Sequence, residues 1–454
     1  MLFSLKPKKT KKISTKYRNI VTDIPVPESI DLIEKILKYE SRSMHGQLPI
    51  IWNKAKDFSV YDYWGNKWID FTSTIFVSNA GHGNRRIANE IINTLNKPLM
   101  HSYTYMSQER ANYLDYLIKN TPDKFEKAFL VSAGTEATES AFKLMRLNGI
   151  NEGKKQNGII CLEGNWHGRT TGAQLMSSNE AQSNWIGFKD KNIHHIRFPY
   201  PWLEEVSKPK DFFYHEIENL VRNKNINIKE DICGIMLETF QGWAGLFYPN
   251  EFIEAVDEFA KENNVLIAFD EMQAGFGRTG KLFGYMHYNI EPDLICCGKG
   301  TTSSLPLSIV LGSRKIMDLP GEGSMSSTHS ANPLSCVAGK ENLRVIFEDK
   351  LIENSSKLGE LLHQKLNEVK NKFPNHIQYV FGKGLLAGLI FMNNNKPLSN
   401  FCSKVCETAM QKGLILVHTG RESIKIGPPL CITEDALLEG LDVLEESILE
   451  NVND

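Results

Sequence analysis

The sequence predicts an α/β protein with a mainly parallel sheet, helices on both faces of that sheet, and a second, smaller α/β domain. Three observations support this prediction. Short apolar runs of strand length recur between about residues 75 and 330, among them KAFLVS, NGIICLEG, ICGIMLET, NVLIAFD, DLICCGKG and LSIVLGS. Several are separated by helical patterns such as TEATESAFKLMR and EFIEAVDEFAKEN. After about residue 340, long helices surround the apolar run GLLAGLIF.

The composition argues against several classes of protein. The chain has 454 residues, a formal net charge of -2, 41% hydrophobic and 23% charged residues, as in a globular protein of two or three domains. The near-zero charge argues against nucleic acid as a partner. No apolar run reaches the length of a membrane span, and the start lacks the apolar region of a secretory signal, so we expect no membrane contact and a cytoplasmic location. The eight cysteines are scattered without CxxC pairs and predict neither a metal site nor a disulfide framework.

The chain divides into four parts in this interpretation. Residues 1–20 form a basic tail that we expect to be disordered. Residues 21–74 form an N-terminal segment with a hairpin-like stretch, FSVYDYWGNKWIDF, whose turn centres on WGNK. Residues 75–335 form the large, ligand-binding domain. Residues 336–454, together with the N-terminal segment, form the small domain.

The first motif that carries chemistry is FLVSAGTEATESAFKLMR, which predicts a strand, a turn and a helix. Free backbone N–H groups at the start of this helix, with the small Gly134 and the hydroxyl-bearing Thr135, form a cradle for an anion. An ordinary capped helix explains the same pattern. The motif alone therefore leaves both interpretations open.

The second motif, NVLIAFDEMQAGFGRTG, places Asp270 at the carboxyl end of an apolar central strand, the edge at which open α/β sheets bind ligands. A buried carboxylate needs a cation or strong donors as partners. The protonated ring nitrogen of a ligand would supply the cation; a helix cap or a structural ion pair is the alternative. Residues 275–280 spell GxGxxG, but they neither follow a strand directly nor open a helix, so a nicotinamide-dependent oxidoreductase is not predicted.

The third motif, PDLICCGKG, places Lys299 between two glycines at the end of a buried strand. Such a lysine is a candidate for a lowered pKa and hence for a nucleophilic amine that forms a Schiff base. A phosphate-binding P-loop is excluded because Asp293 stands where that motif needs glycine and Gly300 replaces its serine or threonine. Lys299 follows Asp270 by about one strand-to-strand connection, so both side chains can reach one crevice.

Seven segments in a fixed order resemble the class III, pyridoxal-phosphate-dependent aminotransferases of the type I aspartate aminotransferase fold, from about residue 45 to residue 445. The segments are SAGTEATESAFKLMR, NWHGRTTG, ETFQGWAG, DEMQAGFGRTGKLFG, PDLICCGKG, STHSANPLSC and IKIGPPLCIT. The resemblance implies a seven-stranded large domain and pyridoxal 5'-phosphate as the cofactor. It also implies a transaminase that acts on a small-molecule amine and a 2-oxo acid, and a homodimer with shared active sites.

The resemblance also implies roles for residues that would surround the cofactor ring. Lys299 would form the Schiff base with the cofactor and later transfer the proton. Asp270 would pair with the pyridinium nitrogen and keep it protonated. Gln273 would lie beside the phenolic oxygen. Trp166 stands where the family usually has a tyrosine or phenylalanine stacked on the ring, which is a conservative aromatic change.

Four further positions acquire roles at the phosphate and the substrate. The resemblance implies that Gly134 and Thr135 hold the phosphate by their N–H groups. Thr328 would reach the phosphate of the neighbouring subunit's cofactor, which is the reason to expect shared active sites. Arg169, in the HGR motif, resembles an arginine that binds a substrate carboxylate in several members, a role suited to its planar fork.

Three positions depart from the family pattern in ways that concern the substrate. Ornithine- and 4-aminobutyrate-type members have a glutamate and an arginine that form a switchable pair, and this chain has Trp243 and Lys425 at those positions. An ammonium cannot reproduce the bidentate fork of arginine, although a shifted loop with Arg421 is an alternative source of one. Ile75 stands where ornithine-type enzymes have tyrosine. These departures favour a bulky amine, and QGW with SSLPL after the lysine resembles the branch that aminates sugar aldehydes.

The leading hypothesis is a transaminase that moves an amino group between a terminal primary amine, an amino sugar or an ω-amino acid, and a 2-oxo acid, with glutamate and 2-oxoglutarate as the expected pair. A 4-aminobutyrate-type ω-amino-acid transaminase is one alternative. An aminomutase or decarboxylase with the same cofactor is another, because the fold does not fix the reaction. Consumption of an external 2-oxo acid distinguishes a transaminase from an aminomutase or a decarboxylase. A non-catalytic binding protein would have no reason to retain Lys299 with Asp270 and Gln273.

Overall fold

A computed structural model describes residues 3–394 and 396–453 of the chain. Its strands are, in chain order, β1 Ile13–Ser14, β2 Asn19–Ile20, β3 Lys54–Lys56, β4 Ser59–Tyr61, β5 Lys67–Asp70, β6 Lys127–Val131, β7 Gly158–Leu162, β8 Ile193–Ile196, β9 Ile232–Glu238, β10 Phe240–Gln241, β11 Leu246–Phe247, β12 Leu266–Asp270, β13 Leu294–Cys297, β14 Ser308–Gly312, β15 Ile377–Lys383, β16 Leu386–Asn393, β17 Lys396–Pro397, β18 Leu414–Ile415, β19 Val417–His418 and β20 Ser423–Ile426.

The helices complete the secondary structure. They are α1 Ile30–Tyr39, α2 Ser73–Phe76, α3 Arg85–Leu95, α4 Gln108–Lys119, α5 Gly134–Asn151, α6 Thr171–Met176, α7 Glu180–Ser183, α8 Pro209–Lys224, α9 Ile228–Asp231, α10 Asn250–Asn263, α11 Arg314–Met317, α12 Pro333–Glu348, α13 Leu351–Lys372, α14 Ser399–Gln411 and α15 Glu434–Asn453. No helix among the described residues combines the length and the apolar character that crossing a bilayer requires.

The predicted mainly parallel sheet is confirmed. Seven strands lie in the order β6-β14-β13-β12-β9-β7-β8. The pairs from β13 to β8 are parallel, and β14 runs antiparallel to both of its neighbours. Every residue of β9 and β13 is buried, because helices cover both faces of the sheet. Strands in that position are continuous apolar runs rather than alternating ones.

Successive residues of the central strands belong to two different cores. On one face, Ala268 lies in an apolar cluster with Ala141 and Leu144 of α5. On the other face, Ile267 and Phe269 lie in the larger cluster that contains the buried side chains of α8 and α10. This alternation follows from the two-residue period of a strand. Because both faces of the sheet are covered, the carboxyl ends of the strands are the edge at which a ligand can bind.

The N-terminal segment and the C-terminal part share structure, as expected for one small domain. The predicted hairpin is confirmed as β4 and β5, which pair antiparallel within the order β1-β2-β5-β4-β3. β18 of the C-terminal part adds to β5 in parallel, with Leu414 opposite Ile69. A separate sheet, β15-β16-β20-β19, carries α13 against β15. The domain division itself stays a prediction, and its boundary after residue 335 falls inside α12.

The basic tail is ordered where the structure describes it, so the prediction of disorder is wrong for residues 3–20. β1 and β2 pair with each other, and Phe3 is buried in the main core. The Nε of Arg18 lies 2.6 Å from a carboxylate oxygen of Glu439 on α15. The sequence pattern alone does not reveal this order, because the tail is stabilised by contacts with residues at the other end of the chain. Residues 1–2 lie outside the described residues.

Candidate active site

Two neighbouring strands bring Asp270 and Lys299 to the same edge of the sheet. β12 ends at Asp270, which lies opposite Cys296 of β13. Lys299 follows β13 directly and has a φ of 46° at the start of a short 3-10 turn. Gly298 gives the close approach this turn needs, since a Cβ there would lie 2.5 Å from the Met272 sulfur. Both predicted groups therefore occupy one crevice at the ligand-binding edge of the sheet.

The Lys299 side chain is available for reaction. Burial of its amine lowers the pKa of Lys299, while the nearby carboxylates of Asp270 and Glu238 oppose that shift. Within the described part of the chain, its Nζ makes neither a hydrogen bond nor an ion pair. A lysine amine in this environment loses its proton more readily than an exposed one. It has the properties of a nucleophile.

Asp270 is held in place by two donors. Its Oδ2 lies 3.0 Å from Nδ1 of His167, and its Oδ1 accepts the backbone N–H of Met272 at 3.0 Å. The other ring nitrogen of His167, Nε2, is buried and has no hydrogen-bond partner among the described residues. Sequence reasoning did not assign a role to His167. The available signal was its place between Trp166 and Arg169 in the NWHGR segment.

Glu238, the last residue of β9, is a second buried carboxyl group beside Asp270, and sequence reasoning assigned it no role. Its Oε2 accepts the backbone N–H groups of Trp166 at 3.0 Å and Gly242 at 3.3 Å. Burial first, and then the charge of Asp270, raise the pKa of Glu238 to about 8. The Glu238 carboxyl group therefore connects the loop that contains Trp166 to the turn that contains the QGW sequence. The signal was the glutamate that opens the ETFQGWAG segment at the end of an apolar strand.

Gln273 receives the side chain of Lys425. The Lys425 Nζ donates to Oε1 of Gln273 at 2.8 Å and lies 4.7 Å from the centre of the Phe76 ring. Burial first, and then the charge of Lys299, lower the pKa of Lys425 to about 7. The ammonium that replaces a family arginine is thus directed at the side chain expected beside the cofactor's phenolic oxygen.

The start of α5 offers two free N–H groups. Among the described residues, none accepts from the backbone N–H of Gly134 or Thr135, the first two residues of this 18-residue helix. A Cβ at Gly134 would lie 2.9 Å from the Met272 sulfur, so a residue larger than glycine would crowd the turn. The Thr135 hydroxyl lies 2.6 Å from that of Thr170. This arrangement fits the predicted anion cradle.

Two arginines stack on the tryptophans of the segments that Glu238 joins. The guanidinium carbon of Arg169 lies 4.7 Å from the centre of the Trp166 ring. The guanidinium carbon of Arg421 lies 3.8 Å from the centre of the Trp243 ring. Both arginines are exposed, whereas the two tryptophans are partly buried. The two tryptophans therefore hold planar cations that face solvent.

Ile75 lies in a strained turn at the edge of the crevice. Residues 73–76 all have left-handed backbone angles, with φ between 47° and 69°. Such angles are costly for residues other than glycine and need support from the surrounding structure. The buried guanidinium of Arg278 donates to the Ser73 hydroxyl at 3.0 Å, and Ile75 packs against a cluster that contains Ala274. Ile75 is the neighbour of Phe76, whose ring centre lies 4.7 Å from the Lys425 Nζ.

The GFGRTG segment contributes a buried arginine to the packing of the fold. Arg278 is fully buried and donates to Asn79 Oδ1 at 2.7 Å and to the carbonyl of Leu385 at 3.1 Å. Through its bonds to Ser73 and Leu385, Arg278 also contacts the chain on both sides of the predicted large domain. Burial lowers its pKa to about 9. The sequence pattern predicts no dinucleotide site for this segment, and it contains no signal for the burial of Arg278.

Thr328 lies apart from the hydrogen-bonded groups around Asp270 and Gln273. It is exposed on the loop between α11 and α12, and its carbonyl accepts from Nε2 of His101 at 3.0 Å. Lys299, Asp270, Gln273 and Lys425 are brought together within one chain. A role for Thr328 at a neighbouring subunit stays a prediction.

The described residues fit pyridoxal 5'-phosphate. The free N–H groups of Gly134 and Thr135 suit a phosphate, and the unpartnered amine of Lys299 suits an aldehyde. Asp270, buried beside Glu238, suits a protonated ring nitrogen, because a cation there would compensate two neighbouring carboxyl groups. Three separate parts of the site thus match three parts of this cofactor.

Comparisons with known proteins agree with this geometry. The sequence profile of the family described as Aminotransferase class-III matches residues 40–448. An ornithine aminotransferase from Bacillus cereus is 33% identical over 413 residues, covering 90% of this chain and 96% of the relative. A mitochondrial acetylornithine aminotransferase from Candida glabrata is 31% identical over 401 residues, covering 86% of this chain and 88% of the relative.

A solved structure shows the same fold. The transaminase from the marine bacterium Virgibacillus superposes with a TM-score of 0.85 at 24% sequence identity, covering 93% of this chain and 99% of that one. At this level of identity the likeness concerns the fold.

Proposed function

The chain belongs to the class-III aminotransferases, and we propose that it transfers an amino group between a terminal primary amine and a 2-oxo acid, with glutamate and 2-oxoglutarate as the acidic pair. It is therefore a pyridoxal-phosphate-dependent enzyme. One observation carries the assignment of its chemistry to particular residues: the unpartnered amine of Lys299 and the buried carboxylate of Asp270 lie at the ends of paired strands.

When bound, pyridoxal 5'-phosphate supplies an aldehyde that captures amines and a ring that withdraws electrons. The proposed roles of the chain follow from the contacts. Lys299 Nζ accepts and returns the proton that moves during amino transfer, helped by its lowered pKa. Asp270, oriented by His167 and by the Met272 N–H, holds the positive charge of the ring nitrogen.

The remaining contacts position the cofactor and exclude other geometries. The N–H groups of Gly134 and Thr135 bind the phosphate. Trp166, whose backbone N–H donates to Glu238, would cover the ring. Gln273, which accepts a hydrogen bond from Lys425, would lie beside the phenolic oxygen. Trp166 and Gln273 are each held by a second side chain, which is the form of preorganisation that electrostatic catalysis requires.

The proposed amine is a bulky terminal primary amine, either an amino sugar or an ω-amino acid. The ornithine and acetylornithine aminotransferases among the relatives favour the ω-amino acid. The apolar Ile75 and the aromatic Trp243, in place of the tyrosine and glutamate of ornithine-type enzymes, favour a substrate bound by shape and aromatic contact. Amino sugars and ω-amino acids both carry a terminal primary amine, either on a ring substituent or at the end of a chain.

We also propose that two copies of the chain form a dimer with shared active sites. The exposed side chains of Met100, Tyr105 and Met106 form an apolar surface beside the loop that carries Thr328. Two contacts join this surface to that loop: His101 bonds the Thr328 carbonyl, and Asn332 donates to the Met100 carbonyl at 2.7 Å. Exposed apolar surface of this kind is typical of a subunit interface, and a second copy would bring Thr328 to its neighbour's cofactor.

A substrate screen tests the proposal. Ornithine, acetylornithine, 4-aminobutyrate and aminomethyl sugars are each offered to the holoenzyme with 2-oxoglutarate or pyruvate, and the new amino acid is measured. Formation of glutamate or alanine with loss of the amine supports transamination. Conversion of an amine without consumption of a 2-oxo acid would instead identify an aminomutase or decarboxylase.

A further inference from the structure

Lys425 lies on the face of its strand that is turned away from the main core. Ile424 and Ile426 of β20 both belong to that core, and the two-residue period of a strand directs the side chain between them to the opposite face. Lys425 is only 6% exposed there, with its Nζ 4.7 Å from the centre of the Phe76 ring. The amine is therefore enclosed by the site.

The hydrogen-bond partner of this enclosed amine is the Gln273 side chain. In the part of the chain that the structure describes, the Lys425 Nζ bonds Oε1 of Gln273, at 2.8 Å, and takes part in no ion pair. Trp243 stands where ornithine-type enzymes have the glutamate of the switchable pair, and its indole N–H is bonded to Gln241. Lys425 thus lacks the acidic partner of that pair and bonds an amide of the expected cofactor site instead.

This contact determines which end of the Gln273 amide stays free. An ammonium donates hydrogen bonds and cannot accept one, so the amide meets Lys425 with its oxygen. The amide nitrogen, Nε2, is then left as a donor, and it bonds no other described residue. Gly242 gives Nε2 the room that this orientation needs, because a Cβ at that position would overlap it.

Two titratable groups face the Lys425 amine from other elements, Glu238 at the end of β9 and Lys299 after β13. Burial first, and then the charge of Lys299, lower the pKa of Lys425, whereas the charge of Glu238 raises it. An amine carries N–H groups whether or not it is charged. The hydrogen bond to Gln273 is therefore available on both sides of this titration.

We propose that Lys425 is a positioning residue that acts through Gln273, orienting the amide so that Nε2 donates a hydrogen bond to the phenolic oxygen of pyridoxal 5'-phosphate. This inference rests on the proposed function. A donor at that oxygen stabilises its anionic form, so the proton that the oxygen shares with the Schiff-base nitrogen becomes easier to remove. Lys425 would thus tune the protonation of the cofactor.

The test is a pH titration of the visible absorption of the holoenzyme without substrate, which reports the loss of that shared proton. We expect Lys425→Met to raise the apparent pKa of the absorption change by roughly 0.5 to 1 pH unit, the size of one net hydrogen bond. Lys425→Arg keeps a donor and should restore most of the wild-type value. Lys54→Met is the matched control and should leave it unchanged, because the Lys54 Nζ also lies over an aromatic ring, 4.8 Å from the centre of Tyr61, but is exposed.

A double-mutant cycle with Gln273→Leu tests whether Lys425 acts through Gln273. Gln273→Leu should raise the apparent pKa at least as much as Lys425→Met does, and adding Lys425→Met to it should give no further rise. Lys425→Leu, a smaller apolar replacement, provides the same comparison if Lys425→Met does not fold.

An unchanged apparent pKa in the apolar variants of Lys425 overturns the inference. Additive rises in the double variant also overturn it, because they would mean that the charge of Lys425 acts on the cofactor directly. Since the titration uses no substrate, a protein that binds the cofactor but transfers no amino group would contradict the proposed function and still give a result for Lys425.

Discussion

The Nζ of Lys425 donates a hydrogen bond to Oε1 of Gln273 at 2.8 Å, and burial holds the pKa of Lys425 at about 7. The unfolded chain has the ordinary value of 10.5. Between these two values the unfolded state binds more protons, so the contribution of Lys425 to stability rises with pH through this range. Below pH 7 both states are protonated, and the full cost of burying the ammonium is present.

Replacing this amine should therefore change stability in a pH-dependent way. We expect the free energy of unfolding of Lys425→Met, relative to wild type, to fall by roughly 1 to 3 kcal/mol between pH 6.5 and pH 9.5. Urea unfolding of the two holoenzymes at both pH values measures it. Lys315→Met, at an ammonium that is 71% exposed, should show no such trend. A pH-independent difference for Lys425→Met would mean that the amine is not held in a buried site.

Lys299 should be the residue that carries the cofactor. Borohydride reduction of the holoenzyme followed by peptide mapping should place the cofactor on Lys299, because its amine is unpartnered and has a lowered pKa. Lys425 is the second buried amine nearby and is the informative competitor. Lys425→Met should be labelled at Lys299 as before. Labelling of Lys425 in the wild-type protein would refute the assignment.

Asp270→Asn should fold and lose most of its activity. A neutral amide accepts the Met272 N–H but no longer stabilises a protonated ring nitrogen, so we expect kcat/KM to fall roughly 100-fold or more. Circular dichroism and thermal unfolding report the fold. His167→Phe should show a smaller loss, since His167 acts through Asp270. A near-normal rate for Asp270→Asn would remove the role proposed for this carboxylate.

The dimer proposal predicts that a charge on the apolar surface beside Thr328 separates the subunits. Met106 is 96% exposed in a single chain, so Met106→Glu costs little within the chain but places a charge in the proposed interface. Sedimentation of Met106→Glu should show a monomer. We expect this monomer to retain the cofactor poorly. Ile150→Glu, on another exposed surface, is the control and should remain dimeric. A wild-type monomer with full activity would contradict shared active sites.

The sequence by itself determined the sheet and the two groups at its edge. Continuous apolar runs predicted β12 and β13, and the residues that end these runs, Asp270 and Lys299, were predicted to share one crevice. These features depend on a local pattern of side chains, which the order of residues contains directly. The free N–H groups of Gly134 and Thr135 followed from a helix start for the same reason.

Tertiary structure alone decided which side chains hold these groups. His167 meets Asp270 across 103 residues, and Lys425 meets Gln273 across 152. The order of the tail likewise depends on Arg18 reaching Glu439 near the other end of the chain. No local pattern encodes such pairs, because a buried polar group is stabilised by whichever partner the packed fold brings within hydrogen-bond distance.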